Sequence, residues 1–415
     1  MRSPLKIGLI SYRSNPHCGG QGVYIRHLSH ALSDLGHQVE VIAGPPDPQL
    51  NNGTDPAVSL TMLQTLDLYN PADLFRTPRL AELKDPINLI EWLDVSAMGY
   101  PEPFTFGMRV KRHIRETQKK YDIIHDNQSL SYGILSLCRS MPVTATIHHP
   151  ITVDRRLAVQ NAPGFLGKLK AIRWYSFISM QKRVAKRLPH LITVSDSSKA
   201  DIAKEFCIPP SRFTTIPIGI DTKSFYPLDT VKADPNRIIV TNSADTPLKG
   251  LAFLLKAVNE IVKIRPVNLT VIGAPKKNGT IERMIKTLDL EPHVRFTGRI
   301  DHGRFVREYA ESAIAVIPSL YEGFGLPVGE AMACRKPVIS TTGGALPEVA
   351  GDAAVMVPPA DVNALKKAII DLLENPGLRE DLAEKGFQRI ISRFTWEKTA
   401  MRTVDAYREA IRDYH

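Results

Sequence analysis

Cysteine is scarce in this chain of 415 residues, which contains only Cys18, Cys138, Cys207 and Cys334. The four lie far apart, with no Cys-x-x-Cys pair and no neighbouring histidine at ligand spacing. Such a pattern argues against a zinc site and against a disulfide framework, and it fits a reducing compartment.

Long hydrophobic runs are also lacking. No apolar run approaches the roughly 18 residues that a membrane-spanning helix needs. The opening residues, MRSPLKIGLISY, hold an apolar run that is too short for a secretion signal. We interpret it as a first β-strand, and we expect a cytoplasmic protein.

Several sequence signatures of hydrolases and nucleotide-binding proteins are absent. The chain has no HExxH, no GxxxxGK[ST] and no GxSxG. These absences argue against a zinc metalloprotease, a P-loop nucleotidase and an α/β-hydrolase.

The overall composition is that of a globular protein with two or three domains, since 43% of the residues are hydrophobic and 23% are charged. The net charge is +10. Residues 155–187 hold nine Lys and Arg and no Asp or Glu, so this stretch is expected to attract anions.

Strand and helix patterns alternate along the chain. LKIGLISY predicts a buried strand, Val23 to Leu35 has helical spacing, and HQVEVIAG predicts the next strand. The alternation restarts after a segment rich in Pro and Asp, residues 217–235, and it indicates two domains with parallel sheets. We expect a first domain at 1–216, a linker at 217–235, a second domain at 236–395 and a final helix at 396–415, capped by Thr395.

The most informative motif is SLYEGFGLPVGEAMA, in which Glu322 and Glu330 are eight residues apart. Pro327 suits the first turn of a helix, and the glycines before it allow a tight loop. Backbone N–H groups of such a loop and the helix N-terminus favour an anion. Two carboxylates held apart in this way can accept hydrogen bonds from a sugar and a ribose. A plain turn before an amphipathic helix is the alternative reading.

This motif resembles the Glu-x7-Glu motif of retaining glycosyltransferases with the GT-B fold, most closely those of glycosyltransferase family 4. The likeness extends to PHCGGQGVYIRHLSHALSDLGHQVEVIAG, VTATIHH, ITVSDSSKADI, IPIGIDTKSFYP, PLKGL and TTGGALPEVAGDAAVMVPPAD. It implies an α/β protein of GT-B architecture, with two doubly wound Rossmann-like domains facing a cleft. The first domain would bind the acceptor and the second the nucleotide-sugar, and the final helix would cross back to the first domain.

The resemblance also implies roles for single residues. Gly20 would contact the donor diphosphate, His148 the donor sugar, Glu322 the sugar hydroxyls and Glu330 the ribose. Lys249 precedes a helix start, where a cation opposes the helix dipole, so an anion is expected beside it. The departing diphosphate would also be held by the loop that contains Gly323, Phe324, Gly325 and Leu326.

The chain departs from the family pattern before Lys249. The family usually has Gly-Arg at the end of this strand, whereas residues 242–245 read Asn-Ser-Ala-Asp. We expect Arg299 to supply the missing cation. The chain also has no Asp-x-Asp, which many metal-dependent glycosyltransferases use, so we expect no metal and no cofactor beyond the nucleotide-sugar co-substrate.

The expected activity is metal-independent retaining transfer of a hexose from a nucleoside-diphosphate sugar to a hydroxyl acceptor. UDP- and GDP-sugars both fit the residues, and we expect a UDP-sugar. Acceptors that remain open are lipid-linked sugars, polysaccharides and small molecules. A nucleotide-sugar epimerase of the same fold and a non-catalytic sugar-nucleotide-binding protein are the alternatives.

The basic stretch 155–187 predicts either a helix that lies on an anionic membrane or a helix packed on its own sheet with a solvated basic face. Its apolar stripe would comprise Phe165, Leu169, Ile172, Phe177, Met180, Val184 and Leu188. The first reading implies a peripheral location at the inner face of the membrane. Nucleic acid is not expected as a partner, because no nucleic-acid-binding motif accompanies the charge.

Overall fold

The computed structural model describes residues 3–14, 20–50, 58–70, 73, 76–241 and 246–414. The chain divides into two compact units. Unit 1 comprises Met1–Val194, Ser198–Ile216 and Thr399–His415, and unit 2 comprises Ser195–Ser197 and Pro217–Lys398. The segment 217–235, expected as a linker, therefore belongs to unit 2, where the N–H of Ile220 donates to the Phe394 carbonyl at 2.7 Å.

Unit 1 is built on a parallel sheet of seven strands in the order β3-β2-β1-β4-β5-β6-β7. The middle of its first strand is apolar, and Ile7, Leu9 and Ile10 are each at most 1% exposed. Such a strand must be covered on both faces, as parallel sheets are. The strands are β1 (Lys6–Ser11), β2 (Gln38–Ala43), β3 (Val58–Met62), β4 (Ile123–Asn127), β5 (Val143–Ile147), β6 (His190–Thr193) and β7 (Phe213–Thr215).

Helices connect these strands. The first follows the prediction, except that it begins at Gly20, and Gly36 after its end has a left-handed φ of 85°. The helices in this part of the chain are α1 (Gly20–Asp34), α2 (Pro86–Ser96), α3 (Glu102–Thr117), α4 (Tyr132–Leu137), α5 (Thr152–Asn161), α6 (Gly164–Trp174), α7 (Ile178–Ala185) and α8 (Asp196–Phe206).

Unit 2 contains a parallel sheet of six strands in the order β10-β9-β8-β11-β12-β13. The strands are β8 (Asp234–Thr241), β9 (Asn268–Ile272), β10 (Val294–Phe296), β11 (Ser312–Ile317), β12 (Val338–Thr341) and β13 (Ala354–Val357). The helices that follow β8 are α9 (Leu251–Ile261), α10 (Thr280–Thr287), α11 (His302–Ala310), α12 (Leu326–Ala333), α13 (Leu346–Ala350), α14 (Val362–Glu374), α15 (Pro376–Arg393) and α16 (Trp396–Tyr414).

Each sheet reverses its strand order beside its first strand, between β1 and β4 in unit 1 and between β8 and β11 in unit 2. Loops at the carboxyl ends of the strands diverge at such a point and leave room for a ligand. The predicted α/β class with two doubly wound parallel sheets is confirmed.

The last helix, α16, belongs to unit 1 from Thr399 onward. The Thr395 hydroxyl accepts from the N–H of Lys398 at 3.3 Å, as the predicted cap requires. Further along, the buried Tyr407 hydroxyl lies 2.6 Å from Nδ1 of His125 on β4, and this bond ties the helix to the sheet.

The basic stretch 155–187 covers part of α5 and all of α6 and α7 rather than one continuous striped helix. A tight turn at Tyr175–Phe177 separates α6 from α7. Met180, Val184 and Leu188 enter the core of unit 1, whereas Phe165 on α6 is 80% exposed. The predicted stripe is thus split into a buried part and an exposed part. Across the described ranges, no helix is both long enough and apolar enough to span a membrane.

Candidate active site

A lysine and a glutamate meet at the carboxyl ends of the central strands of unit 2. Lys249 ends the short turn between β8 and α9, and Glu322 lies in the loop between β11 and α12. The Lys249 Nζ atom is 2.7 Å from Oε1 of Glu322, and the Ser319 hydroxyl donates to the same oxygen at 2.8 Å. The two residues that the sequence analysis singled out are therefore direct partners.

The two loops meet because a glycine allows their backbones to approach. Gly250 has a φ of 70°, and a β-carbon there would lie 1.9 Å from the Pro318 carbonyl oxygen. Next to this contact, the N–H of Leu320 donates to the Leu248 carbonyl at 2.7 Å. The Lys-Gly pair thus places the lysine against the end of β11.

The loop before α12 presents backbone donors. Gly325 adopts a φ of 107° and precedes the helix, and Phe324 packs its ring against Phe394 at 6.0 Å between centroids. Among the described residues, the N–H groups of Phe324, Gly325 and Leu326 have no hydrogen-bond acceptor. The Gly323 carbonyl accepts from the Ser195 hydroxyl at 2.7 Å. Free N–H groups at a helix N-terminus can bind an anion.

Glu330 lies on α12 and is largely buried. Burial raises its pKa to about 7, an effect that Asp221 increases and Lys249 opposes. Lys249, Glu322 and Glu330 therefore form one electrostatic cluster, which we call the lysine–carboxylate cluster. At neutral pH the Glu330 carboxyl lies near its titration midpoint, so it can act as a donor or as an acceptor towards hydroxyl groups.

Two residues beside the lysine–carboxylate cluster were not predicted from the sequence. Ser319 precedes the Glu-x7-Glu motif and orients Glu322, whereas Asp221 lies in the segment taken as a linker. The Asp221 carboxylate accepts from the N–H groups of Lys223 and Ser224 at 3.1 and 3.2 Å. The string IGIDTKSF contains this Asx-type turn, which was the available signal.

His148 follows β5 in unit 1 and is 8% exposed. Its Nε2 atom lies 2.7 Å from Oδ1 of Asn127, and its N–H donates to the Gln128 side chain at 2.7 Å. Burial lowers the pKa of His148 to about 3, so the ring is neutral at physiological pH. Contact with the donor sugar stays a prediction for this residue.

The neighbouring His149 is more exposed and lines a cavity of about 420 Å³ in unit 1. Its Nε2 atom lies 2.8 Å from Oδ2 of Asp154 on α5. His149 has no role implied by its position in the sequence, because a strand pattern shows only that adjacent side chains point to opposite faces.

Two further site residues occupy exposed positions. Gly20 is the first residue of α1, and a β-carbon built there would meet nothing within 4 Å. Arg299 follows β10 and is exposed to solvent. Gly19 in the predicted first loop and residues 242–245, where the chain departs from the family pattern, lie outside the described residues.

In the ranges that the structure describes, no group of three or more His, Cys, Asp or Glu residues is arranged to hold a metal ion.

Two family models together match almost the whole chain. Residues 18–224 match the model for Glycosyltransferase Family 4, and residues 225–389 match the model for Glycosyl transferases group 1. The boundary between the two matches lies close to the start of unit 2 at Pro217.

Three similar proteins have names that identify them as glycosyltransferases. An MMP alpha-(1->4)-mannosyltransferase from Mycolicibacterium hassiacum is 42% identical over 98% of this chain and 98% of its own length. A D-inositol 3-phosphate glycosyltransferase from Catenulispora acidiphila is 27% identical over 99% and 96%. A GDP-mannose-dependent monoacylated alpha-(1-6)-phosphatidylinositol monomannoside mannosyltransferase from Corynebacterium glutamicum is 29% identical over 45% and 53%.

The solved structures agree with this assignment. Sucrose-phosphate synthase from Thermosynechococcus elongatus superposes with a TM-score of 0.75 and 25% identity, covering 99% of this chain and 100% of the other. Its likeness extends over both units. The chain therefore belongs to glycosyltransferase family 4, the group 1 glycosyl transferases of GT-B architecture.

Proposed function

We propose that this glycosyltransferase transfers mannose from GDP-mannose to a hydroxyl group of an acceptor, with retention of the α configuration. The names of two relatives support mannose as the sugar, and one of these names specifies GDP-mannose. We therefore propose GDP-mannose in place of the UDP-sugar expected from the sequence. That expectation did not rest on any particular residue.

The observation that carries the proposal is the lysine–carboxylate cluster beside the N-terminus of α12. Lys249 and the free N–H groups of Phe324 to Leu326 suit the two phosphates of the donor, because both favour negative charge. Glu322 suits the hydroxyl groups of the sugar, and Glu330 those of the ribose. Charge that develops on the departing GDP is then stabilised by groups already in position.

The proposed step is a front-face displacement. The bond between the mannose anomeric carbon and the β-phosphate oxygen of GDP breaks, while the acceptor oxygen bonds to the same face of that carbon. The acceptor hydroxyl proton passes to the departing phosphate oxygen, so no side chain needs to act as nucleophile. Retention follows because the new bond forms on the face that the leaving group occupied.

Independence from metal ions is part of the proposal. Metal independence is supported by the positive charge of Lys249 and of the N-terminus of α12, which together can neutralise the donor diphosphate. Arg299 is proposed as a further cation for the diphosphate, in place of the arginine that the family carries nearby.

A donor panel tests this proposal. Purified protein is incubated with GDP-mannose, GDP-fucose, UDP-glucose, UDP-galactose and ADP-glucose, with EDTA and with Mg²⁺, and release of the nucleoside diphosphate is followed. We expect GDP release from GDP-mannose at equal rates under both conditions. Release from a UDP-sugar alone would contradict the donor, and activity restored only by Mg²⁺ would contradict metal independence. Conversion of the sugar without any acceptor would favour the epimerase.

We also propose that α6 attaches the protein to an anionic membrane surface. On this helix Phe165 and Leu166 are 80% and 78% exposed, and Lys168 and Lys170 are exposed beside them. An apolar face flanked by lysines suits the boundary between lipid headgroups and acyl chains.

A further inference from the structure

The cavity beside His149 lies at the carboxyl ends of the strands of unit 1. Tyr12 and Arg13 directly follow β1, and His149 follows β5, so the cavity occupies the side of the sheet where ligands of such folds bind. Its volume of about 420 Å³ is within the roughly 300–1,000 Å³ typical of small-molecule sites.

One wall of this cavity is aromatic. The rings of Tyr100 and Trp174 are stacked, with centroids 4.9 Å apart and planes inclined by 27°. Tyr69 lies 5.4 Å from Trp174, and Phe177 lies 5.4 Å from Tyr100. All four side chains are only partly buried and all four line the cavity. The negative face of an aromatic ring attracts the weakly positive C–H groups on one face of a pyranose.

The tyrosines of this wall are fixed in place. The Tyr69 hydroxyl donates to the Gly99 carbonyl at 2.8 Å, and the Tyr100 hydroxyl donates to Glu102 at 2.8 Å. A wall held in this way loses little conformational entropy when it binds a ligand.

Each arginine at the cavity is held by a carboxylate, and a further carboxylate lies beside His149. Arg13 makes a two-pronged contact with Glu102, at 2.7 and 3.1 Å, and His149 is paired with Asp154. Arg173 on α6, next to Trp174, forms an ion pair with Asp94. The three carboxylates Glu102, Asp94 and Asp154 outnumber the two arginines, so these groups carry no excess positive charge that could neutralise a phosphate. The loop before α12 differs, because it adds free backbone N–H groups at a helix N-terminus to its lysine. The polar groups of the cavity keep lone pairs and N–H donors that suit hydroxyl groups.

We propose that this aromatic cavity is the acceptor site and that it takes an uncharged sugar, stacked on Tyr100 and Trp174, in preference to a phosphorylated one. The inference rests on the proposed function, since it names the acceptor class of the same enzyme. A preference for an uncharged sugar would distinguish this chain from a transferase that acts on inositol phosphate. The acceptor site of such a transferase must neutralise the charge of a phosphate dianion.

Acceptor binding without donor tests the cavity separately from the chemistry. The probes are α-1,4-mannobiose and myo-inositol 3-phosphate, titrated against the whole protein with detection by saturation-transfer NMR. We expect saturation of the mannobiose ring protons and a Kd at least tenfold lower than that of the inositol phosphate. Tighter binding of the inositol phosphate would overturn the assignment of an uncharged acceptor.

Variants locate the site. Trp174→Ala should raise the mannobiose Kd at least tenfold, and Trp174→Phe should restore it to within threefold of wild type. Trp92→Phe, on α2 and outside the cavity lining, is the matched control and should bind as wild type does. Unchanged mannobiose binding in Trp174→Ala would overturn the cavity assignment.

A second variant tests the charge argument and keeps the proposal testable if Trp174→Ala fails to fold. Glu102→Gln removes the partner of Arg13, so affinity for myo-inositol 3-phosphate should rise at least threefold. No gain in a folded Glu102→Gln protein would overturn the charge argument.

The donor panel and the binding titration together distinguish the two proposals. Failure of the wild-type enzyme to use GDP-mannose would defeat the proposed function, whatever the binding data show. If the enzyme uses GDP-mannose but Trp174→Ala binds mannobiose as wild type does, only the proposed acceptor site is wrong.

Discussion

Lys249 and Glu322 are paired with each other at 2.7 Å, and this pairing bears on the proposed catalysis. In the proposed complex, a donor diphosphate would share Lys249 with the Glu322 carboxylate, and a sugar hydroxyl would replace the lysine as donor to Glu322. Both partners then contribute to binding of the transition state, in a site where lost charge stabilisation typically costs about 10²–10³ in rate.

Removal of either partner should therefore impair turnover. Lys249→Ala and Glu322→Ala are each expected to lower kcat/KM at least tenfold, with a thermal unfolding profile close to that of wild type. Lys263→Ala is the matched control, because Lys263 forms an exposed pair with Glu260 at the same 2.7 Å in the same unit. Turnover near that of wild type in both site variants would remove these assignments.

The raised pKa of Glu330 predicts that the stability of the folded protein depends on pH. This pKa is raised from 4.5 to about 7 in the folded protein, so the folded state holds its proton more tightly than the unfolded state does. Stability from the neutral carboxyl is present below pH 4.5 and is lost as the pH rises through about 7. In the donor-free protein, Glu330→Gln should raise the Tm relative to wild type, by an amount that grows between pH 5.5 and 8.

The exposed Glu291 supplies the comparison for this measurement. Glu291→Gln should give a difference in Tm that does not change over the same interval. A flat difference for Glu330→Gln as well would mean that folding does not raise the pKa of this carboxyl.

Single residues differ in how far the sequence predicts them. Glu322 and Glu330 could be found because their motif is contiguous and the physical need for an anion-binding loop is local. Lys249 could be found because a lysine at a predicted helix start opposes the helix dipole. The aromatic cavity could not, because Tyr69, Tyr100 and Trp174 are brought together from three separate segments. Their contacts depend on tertiary packing, which no local pattern of residues records.

At the scale of the elements, the turn at Gly250 is a tightly constrained connection between β8 and α9. Both its left-handed φ and the 1.9 Å approach to Pro318 exclude a side chain. Gly250→Ala should destabilise the protein by several kcal/mol, because backbone must move. Gly298→Ala is the control, since Gly298 has a φ of 66° but nothing within 4 Å. It should cost only about 1 kcal/mol for the left-handed conformation. Equal losses in thermal or denaturant unfolding would show that the contact carries no strain.

The helix α6 shows why the prediction for the basic stretch failed in part. The apolar spacing of residues 165–188 is compatible with one helix, yet the turn at Tyr175–Phe177 rotates the second half into the core. Charge and spacing alone cannot show where a helix ends when no glycine or proline marks the turn.

The exposed part of α6 should decide membrane binding. The wild-type protein is expected to float with vesicles of phosphatidylglycerol and not with phosphatidylcholine, and less so at high salt. A Phe165→Ser and Leu166→Ser double variant should lose most of this binding. Ile264→Ser, which changes a residue 63% exposed in unit 2, should not. Equal flotation with both lipids, or none, would refute the assignment.

At the scale of the whole molecule, the alternation of strands and helices was sufficient to predict two parallel sheets. Parallel strands need helical crossovers, so the fold class follows from the order of the elements. The membership of α16 is different. It depends on Tyr407 meeting His125, 282 residues earlier in the chain, and only the family resemblance pointed to it.

Both units are needed for the reaction as proposed, with donor groups in unit 2 and the acceptor cavity in unit 1. Mannosyl transfer from GDP-mannose with retention is tested most directly by the product itself. We would incubate the protein with GDP-mannose labelled with ¹³C at the anomeric carbon and α-1,4-mannobiose, then measure the one-bond carbon–proton coupling at the new linkage. An α-linked trisaccharide is the predicted result, whereas a β-linked product, or no labelled product while a UDP-sugar is consumed, would contradict the account.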